Sequence, residues 1–179
     1  MHGFIISEIK KYVETKLGRD AWPALLEQAG LGKKEYENFL MYPDEEVVTM
    51  VVTASQITGL EVAVILEDFG LFIGGDLIRI YKPLLNPSWR TLDFLANVED
   101  TIHHVVRTRN KQAKPPALVC SRTGPNEVTV VYRSARRMCA LAKGIVRGVA
   151  GHYGETVEIR EATCMTQGDP TCQIKVRVT

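Results

Sequence analysis

The sequence has no long apolar segment and no cluster of basic residues, and we expect no secretory leader. No apolar run reaches the roughly 20 residues that a membrane-spanning helix needs. Residues 1–6 lack the basic start and the apolar stretch of a signal peptide. The 22 Lys and Arg residues balance 21 Asp and Glu residues and are scattered, which argues against nucleic acid as a partner. We therefore expect a cytoplasmic protein that binds neither a membrane nor nucleic acid.

The sequence also lacks the signature of a hydrolytic or transfer enzyme. Ser134, His103 and several acids are present, but nothing places a nucleophile beside a base. We therefore expect that the protein is not an enzyme. Its 179 residues, 45% of them apolar, are enough for one domain with a hydrophobic core, and they contain no internal repeat.

Helical periodicity dominates the first two thirds of the chain. The helices are predicted over residues 4–17, 22–29, 43–59, 62–70, 78–85 and 91–106. Gly70 is predicted to stop the fourth of these helices, and Gly74-Gly75 is predicted to be a hinge. Pro115-Pro116 then ends the helical register.

The last third of the chain alternates between strands and one helix. The predicted strands are 117–122, 128–132, 156–163 and 172–178, and the predicted helix is 138–149. The turns 123–126 and 165–171 join the strands into two hairpins. The predicted fold class is α+β, with a helical N-terminal subdomain packed on a C-terminal α/β subdomain that has an antiparallel sheet.

Tyr132, Ser134 and Arg136 alternate in the sequence, and a strand would place them on one face. A guanidinium binds a carboxylate through two hydrogen bonds, and the two hydroxyls can donate to the same oxygens. His103 stands on a helix with an apolar face, and a neutral imidazole is a common axial ligand of haem iron. From residue chemistry alone, a haem site and an ordinary satisfied histidine both remain open.

The order of these motifs along nearly the whole chain resembles the H-NOX family of haem nitric oxide/oxygen-binding sensor domains. The further landmarks are residues 1–5, Trp22, 29–31, 42–44, Phe69-Gly70, 94–97, Ile102-His103 and Pro115-Pro116. The resemblance implies a single domain over residues 1–179, with a distal helical part at about 1–60 and a proximal part at about 61–179. Haem b is expected to lie between the two parts.

By the same resemblance, His103 is the iron ligand and Tyr132, Ser134 and Arg136 hold the propionates. Pro115 or Pro116 presses on the macrocycle. The distance from Phe94 to His103 is about one residue longer than is usual in the family, which predicts a small bulge in this helix. His104 is expected to be partly exposed, because neighbouring helical residues point about 100° apart.

Oxygen-binding members of the family carry a distal tyrosine, and the corresponding position here is near Leu141, which has no hydroxyl. The resemblance therefore implies nitric oxide as the ligand, with carbon monoxide as a laboratory ligand and poor oxygen binding. Candidates for the apolar distal wall are Phe4, Ile5, Ile9, Phe72 and Leu141. Nitric oxide would weaken the bond between iron and His103, release its helix and let the haem flatten against Pro115 or Pro116.

We expect the signal to act in trans, since the sequence ends at residue 179 without a catalytic domain. The family precedent for the separate effector is a histidine kinase or a cyclic-di-GMP enzyme.

Cys139, Cys164 and Cys172 predict a second site, because strand ends on either side of a turn can bring thiols together with a third one on a helix. The pattern resembles the H-NOX subset with a zinc site of three Cys and one His, but Glu161 stands where that His is expected. Glu161 or His152 can supply the fourth ligand, or the thiols can be plain core residues. Cys120 is predicted to be a core thiol.

Two other functions remain open from the sequence. The first is a zinc or thiol redox switch that uses the same fold without haem. The second is a haem-free small-molecule-binding module, because the ending Cys164-x3-Gly168-Asp169-x2-Cys172 also resembles vinyl-reductase-type ligand-binding domains.

Overall fold

A computed structural model describes all residues, 1–179, as seven α-helices and four strands. The helices are α1 (Gly3–Leu17), α2 (Ala21–Gln28), α3 (Asp44–Thr58), α4 (Val62–Tyr81), α5 (Thr91–Val98), α6 (His104–Arg109) and α7 (Cys139–His152). The strands are β1 (Ala117–Gly124), β2 (Glu127–Arg133), β3 (Val157–Thr163) and β4 (Cys172–Val178). Short 3₁₀ turns occupy Lys82–Leu84 and Met165–Gln167.

The strands form one antiparallel sheet in the order β1-β2-β4-β3. Tyr132 of β2 lies opposite Leu118 of β1 on one side and opposite Cys172 of β4 on the other. Both predicted hairpins are present, and the α+β prediction is confirmed. The sheet places the end of β2 close to the starts of β1 and β4, where most of the candidate site residues lie.

Apolar side chains form two separate clusters. The helical cluster is built from α1 to α4 and includes Ile6, Met50 and Ile73. The sheet cluster packs α5 and α7 on the sheet and includes Val149 and Val176. Helix α4 contributes Ile73 to the helical cluster and Ile78 to the sheet cluster. The two clusters therefore share a helix, and the boundary between a distal part and a proximal part at about residue 60 stays a prediction.

The predicted stop at Gly70 and the predicted hinge at Gly74-Gly75 are wrong, because α4 continues to Tyr81. Gly70 and Gly74 instead face α7 at very short range. A Cβ atom added at Gly74 would lie 2.7 Å from the Cα atom of Gly148. These glycines are therefore required by the close crossing of two helices and not by a turn.

The predicted bulge before His103 is present. Glu99–His103 forms a single π-helical segment between α5 and α6. A π-turn accommodates one extra residue within a helix without ending it, which is how the longer spacing from Phe94 is absorbed.

No single helix is both long and apolar enough to cross a bilayer. Asp44–Thr58 and Val62–Leu84 pass such a test only as a pair, and they are bent by 111° where they meet. Both segments supply buried residues to the helical cluster.

Candidate functional site

His103 ends the π segment, with 15% of its side chain exposed, whereas its neighbour His104 is exposed. The Nδ1 atom of His103 lies 2.9 Å from Oε2 of Glu99. The other ring nitrogen, Nε2, makes no hydrogen bond. Burial lowers the pKa of His103 below its ordinary value, although the bond to Glu99 opposes this change. A neutral ring with one free nitrogen is the form that ligates iron.

Glu99 is a contact that sequence reasoning missed. Its carboxylate accepts hydrogen bonds from the backbone N–H of Leu118 at 3.2 Å and from the guanidinium of Arg107, in addition to its bond with His103. Burial alone would raise the pKa of Glu99, but the bonds from His103 and Arg107 hold it below its usual range. The i to i+4 spacing from Glu99 to His103 was visible in the sequence and is the signal that could have found this contact.

Glu99 also connects His103 to the sheet, because its carboxylate contacts both His103 and the backbone N–H of Leu118 in β1. Leu118 lies directly opposite Tyr132 in the pairing of β1 with β2. Pro115 and Pro116 are half-buried and come just before β1. The structure therefore brings the imidazole, the proline pair and Tyr132 to the same end of the sheet.

Tyr132 and Ser134 are buried, but the prediction that residues 132, 134 and 136 share one strand face is wrong. The strand β2 ends at Arg133, and a turn follows in which Arg137 has a φ of 51°. Ser134 Oγ accepts the backbone N–H of Arg136 at 3.3 Å. Burial raises the pKa of Tyr132, and the neighbouring Ser134 and Arg136 oppose this rise.

Arg136 is held in place by two partners. Its guanidinium lies 3.1 Å from Oδ2 of Asp44 and donates to the backbone oxygen of Lys114 at 2.6 Å. Asp44 also pairs with the N-terminal amine of Met1, at 2.7 Å. Asp44 was assigned from the sequence only as part of a helix start, because its partner lies 92 residues away.

The free ring nitrogen of His103 and the cluster of Tyr132, Ser134 and Arg136 match the donor types that haem needs. A haem requires a neutral axial base and cationic or hydroxyl donors for its propionates. The residues present therefore fit this group.

Of the five distal-wall candidates, Ile9 is buried in the helical cluster, and Ile5, Phe72 and Leu141 are half-buried and pack against it. Phe4 is half-buried. Among α1 to α4, ten apolar or aromatic side chains also enclose a cavity of about 30 Å³. Ile9, one of the distal-wall candidates, is among the residues that line this cavity.

Cys139, Cys164 and Cys172 lie together with Glu161, and their four ligand atoms are all within 4.8 Å of one another. The Sγ atoms of Cys139 and Cys164 are 3.5 Å apart. His152 is exposed, packs edge-to-face against Tyr153 and is not part of this group.

One oxygen of the Glu161 carboxylate pairs with Nζ of Lys143 at 2.9 Å. The other oxygen, Oε1, is buried and has no hydrogen-bond partner. Burial raises the pKa of Cys139 and of Cys172. For Cys164, burial is outweighed by hydrogen bonds from Thr166, which lower its pKa.

Cys120 lies outside this group. It is half-buried and packs against the sheet cluster, and burial raises the pKa of its thiol to about 11.

Comparisons with known sequences identify similar proteins. The profile of the Haem-NO-binding family matches residues 2–161. Soluble guanylate cyclase gcy-34 of Caenorhabditis elegans is 30% identical over 161 residues, which cover 84% of this chain and 23% of that protein. Its paralogue gcy-31 is 22% identical over 163 residues, covering 90% and 23%. The chain thus spans about a quarter of the length of these curated relatives.

Solved structures show the same fold. An H-NOX protein from S. oneidensis in the Fe(II)NO ligation state superposes with a TM-score of 0.93 at 22% identity, covering 100% of this chain and 99% of that one. An unliganded Fe(II) H-NOX protein from K. algicida gives a TM-score of 0.86 at 22% identity, with coverage of 100% and 97%.

Proposed function

Because the chain belongs to the Haem-NO-binding family of gas-binding haem sensor domains, we propose that it senses nitric oxide through haem b ligated by His103. The observation that carries this proposal is the half-buried imidazole of His103, whose Nδ1 is engaged by Glu99 while Nε2 remains free. Its neighbour His104 is exposed and is a poorer candidate for a ligand in an apolar slot.

The other predicted site residues have roles in binding haem. Asp44 and the backbone oxygen of Lys114 orient the guanidinium of Arg136, and Arg136 is near enough to the buried Tyr132 to oppose the rise that burial causes in its pKa. We propose that Tyr132, Ser134 and Arg136 hold the propionates, with Pro115 or Pro116 against the macrocycle. When bound, haem would supply an iron centre that binds the gas, with His103 as its protein ligand.

We propose nitric oxide as the physiological ligand and carbon monoxide as a laboratory ligand. Bound dioxygen is polar and depends on a distal hydrogen-bond donor, whereas bound nitric oxide depends on one much less. Leu141 packs against the helical cluster and offers no hydroxyl. Weak oxygen binding follows from this apolar side chain.

The output is proposed to act on a separate effector, a histidine kinase or a cyclic-di-GMP enzyme in the cytoplasm. Loss of the bond to iron would leave His103 free to move with the π segment. Glu99 joins that segment to Leu118 of β1, so movement of His103 would reach the sheet directly. These effector classes are the ones that the H-NOX resemblance of the sequence implies.

An anaerobic absorption spectrum of the reduced protein tests the gas assignment. We expect an intense Soret band that shifts with nitric oxide and with carbon monoxide and that stays unchanged in air-saturated buffer. A colourless protein after haem supplementation would refute the sensor proposal. A stable oxygen complex would refute the ligand assignment alone.

We propose a zinc ion as a second ligand of this chain, held by Cys139, Cys164, Cys172 and Glu161. The orphaned Oε1 of Glu161 supports this assignment, because a buried carboxylate oxygen without a partner is costly unless something binds it. Thiolates and carboxylate oxygens both ligate zinc, which takes four ligands in its structural sites. Loss of the metal would leave two thiols 3.5 Å apart, which is the arrangement that the redox-switch alternative requires.

Elemental analysis tests the zinc proposal. We expect about one zinc per chain in the wild-type protein and in Cys120→Ser, a control that changes a thiol outside the group. We expect a large loss of zinc in Cys172→Ser and in Glu161→Ala. Equal zinc content in all four proteins, or none in the wild type, would contradict the proposal.

A further inference from the structure

The Glu99 carboxylate is placed to control the ligand that His103 presents. Oε2 of Glu99 lies 2.9 Å from Nδ1 of His103, and the two residues are the first and last of the π segment. In a straight α-helix, residues four apart also approach each other, but the π-turn widens the helix and changes where each side chain points. The extra residue before His103 and the carboxylate contact thus occur in the same local irregularity.

Glu99 is also held independently of His103. The backbone N–H of Leu118 donates to the same oxygen at 3.2 Å, and the guanidinium of Arg107 pairs with the other oxygen. A carboxylate fixed by a neighbouring strand and by a cation keeps its position when the imidazole is replaced or moves. It is therefore a preorganised acceptor and not a side chain that happens to follow the histidine.

We propose that Glu99 is a positioning residue that accepts the Nδ1–H of His103 and thereby fixes the tautomer whose free Nε2 faces the iron. This inference rests on the proposed function of His103 as the iron ligand. A carboxylate behind a ligating imidazole orients the ring and increases the basicity of the coordinating nitrogen. Glu99 therefore strengthens the bond between His103 and iron and opposes its loss when nitric oxide binds.

The contact also bears on signalling. Glu99 Oε2 is shared between His103 on the helix and Leu118 on β1, two residues after Pro116. When His103 leaves the iron, it remains hydrogen-bonded to a group that is anchored in the sheet. Glu99 thus controls the fraction of the nitric oxide complex in which His103 is no longer bound to iron. It also connects the release of His103 to β1.

Two spectroscopic measurements on the haem-loaded protein test this role. Resonance Raman spectroscopy of the ferrous protein gives the frequency of the iron–histidine stretch. We expect a lower frequency in Glu99→Ala than in the wild type, with Glu99→Gln in between because an amide oxygen is a neutral acceptor. Proton NMR of the diamagnetic carbon monoxide complex should show a slowly exchanging Nδ1–H of His103, lost in Glu99→Ala.

Electron paramagnetic resonance then measures the nitric oxide complex. We expect the ratio of histidine-free to histidine-bound complex to rise about tenfold in Glu99→Ala, in line with the effects of losing such partners. Asp100→Asn is the matched control, because it removes the adjacent acid of the same π segment, which makes no hydrogen bond to His103.

The outcomes distinguish a failure of the proposed role of Glu99 from a failure of the proposed sensor function. An unchanged iron–histidine frequency in Glu99→Ala, or a shift of the same size in Asp100→Asn, would overturn the role of Glu99 while leaving the sensor proposal intact. If Glu99→Ala fails to fold, the frequency in Glu99→Gln and the Nδ1–H signal of the wild type still decide the matter. Failure of the wild type to bind haem through His103 would instead refute the proposed function.

Discussion

At the scale of single residues, the account depends on side chains that are held by partners far away in the sequence. His103, Tyr132, Ser134 and Arg136 were predicted as site residues, but Asp44 and Glu99, which hold two of them, were not. Asp44 begins α3 and pairs with Arg136, which follows β2. No local sequence pattern predicts a contact between residues so far apart. Sequence reasoning therefore found donors and missed the groups that orient them.

Leu141→Tyr is expected to create oxygen binding. A phenol at this half-buried position on α7 would supply the distal donor that the wild type lacks. A hydrogen bond of ordinary strength would slow oxygen release by about tenfold. Stopped-flow measurement of oxygen dissociation, with Leu141→Phe as a control of equal bulk without the hydroxyl, checks this. Equal oxygen behaviour in the two variants would contradict the assignment of Leu141 to the distal wall.

Asp44→Asn is expected to lower the free energy of unfolding near neutral pH. Burial opposes ionisation of Asp44, but hydrogen bonds from the N-terminal amine and from Arg136 outweigh it and lower its pKa. Because the folded-state pKa is depressed, the stabilisation is present above about pH 4 and disappears as the pH falls through the lowered value.

Urea unfolding measures this change. At pH 7 we expect Asp44→Asn to lose about 1 kcal/mol of unfolding free energy, and at pH 2 we expect it to match the wild type. Asp20→Asn is the control, since Asp20 is exposed and makes no capping hydrogen bond. A pH-independent loss in Asp44→Asn would show that the ion pair is not its cause.

At the scale of elements, glycines explain both the successes and the errors of the sequence predictions. The helices predicted over residues 4–17 and 43–59 do end at Gly18 and Gly59, which both have positive φ. Gly70 and Gly74 looked the same in the sequence but lie inside α4, against Gly144 and Gly148 of α7. A glycine that ends a helix and one that lets two helices touch cannot be distinguished without knowing the partner, which here is over 70 residues away.

Gly144→Ala is expected to separate α4 from α7. A Cβ atom at Gly144 would overlap the backbone oxygen of Glu67, and backbone cannot move aside as a flexible side chain does. We expect a loss of about 3 kcal/mol in unfolding free energy, at the upper end of ordinary overpacking. Thermal and urea denaturation followed by circular dichroism measure this.

Gly75→Ala serves as the control for this pair of helices. It lies in α4 beside Gly74, but an added Cβ meets no atom within 4 Å. Replacing glycine by alanine inside a helix should then stabilise the protein by about 0.5–1 kcal/mol. Destabilisation of similar size in both variants would contradict the account of the helix crossing.

At the scale of the whole molecule, the fold was largely predictable and the irregularities only partly so. Apolar periodicity and turn residues predicted the α+β architecture and both hairpins. The bulge that forms the π segment was predicted from the spacing usual in the family, and the end of β2 was predicted to within one residue. The turn after Arg133 was not predicted, because Tyr132, Ser134 and Arg136 alternate as strand residues do. The structure joins the helical and sheet clusters through α4, α7 and the pairing of Arg136 with Asp44.

The central claim is that His103 ligates haem iron, and the most direct test compares two adjacent histidines. The absorption spectrum of the reduced, anaerobic protein should be recorded with and without nitric oxide for the wild type, His103→Ala and His104→Ala. We predict a Soret band and a nitric oxide shift in the wild type and in His104→Ala, and a lost or altered band in His103→Ala. An altered band in His104→Ala together with an unchanged one in His103→Ala would contradict the claim.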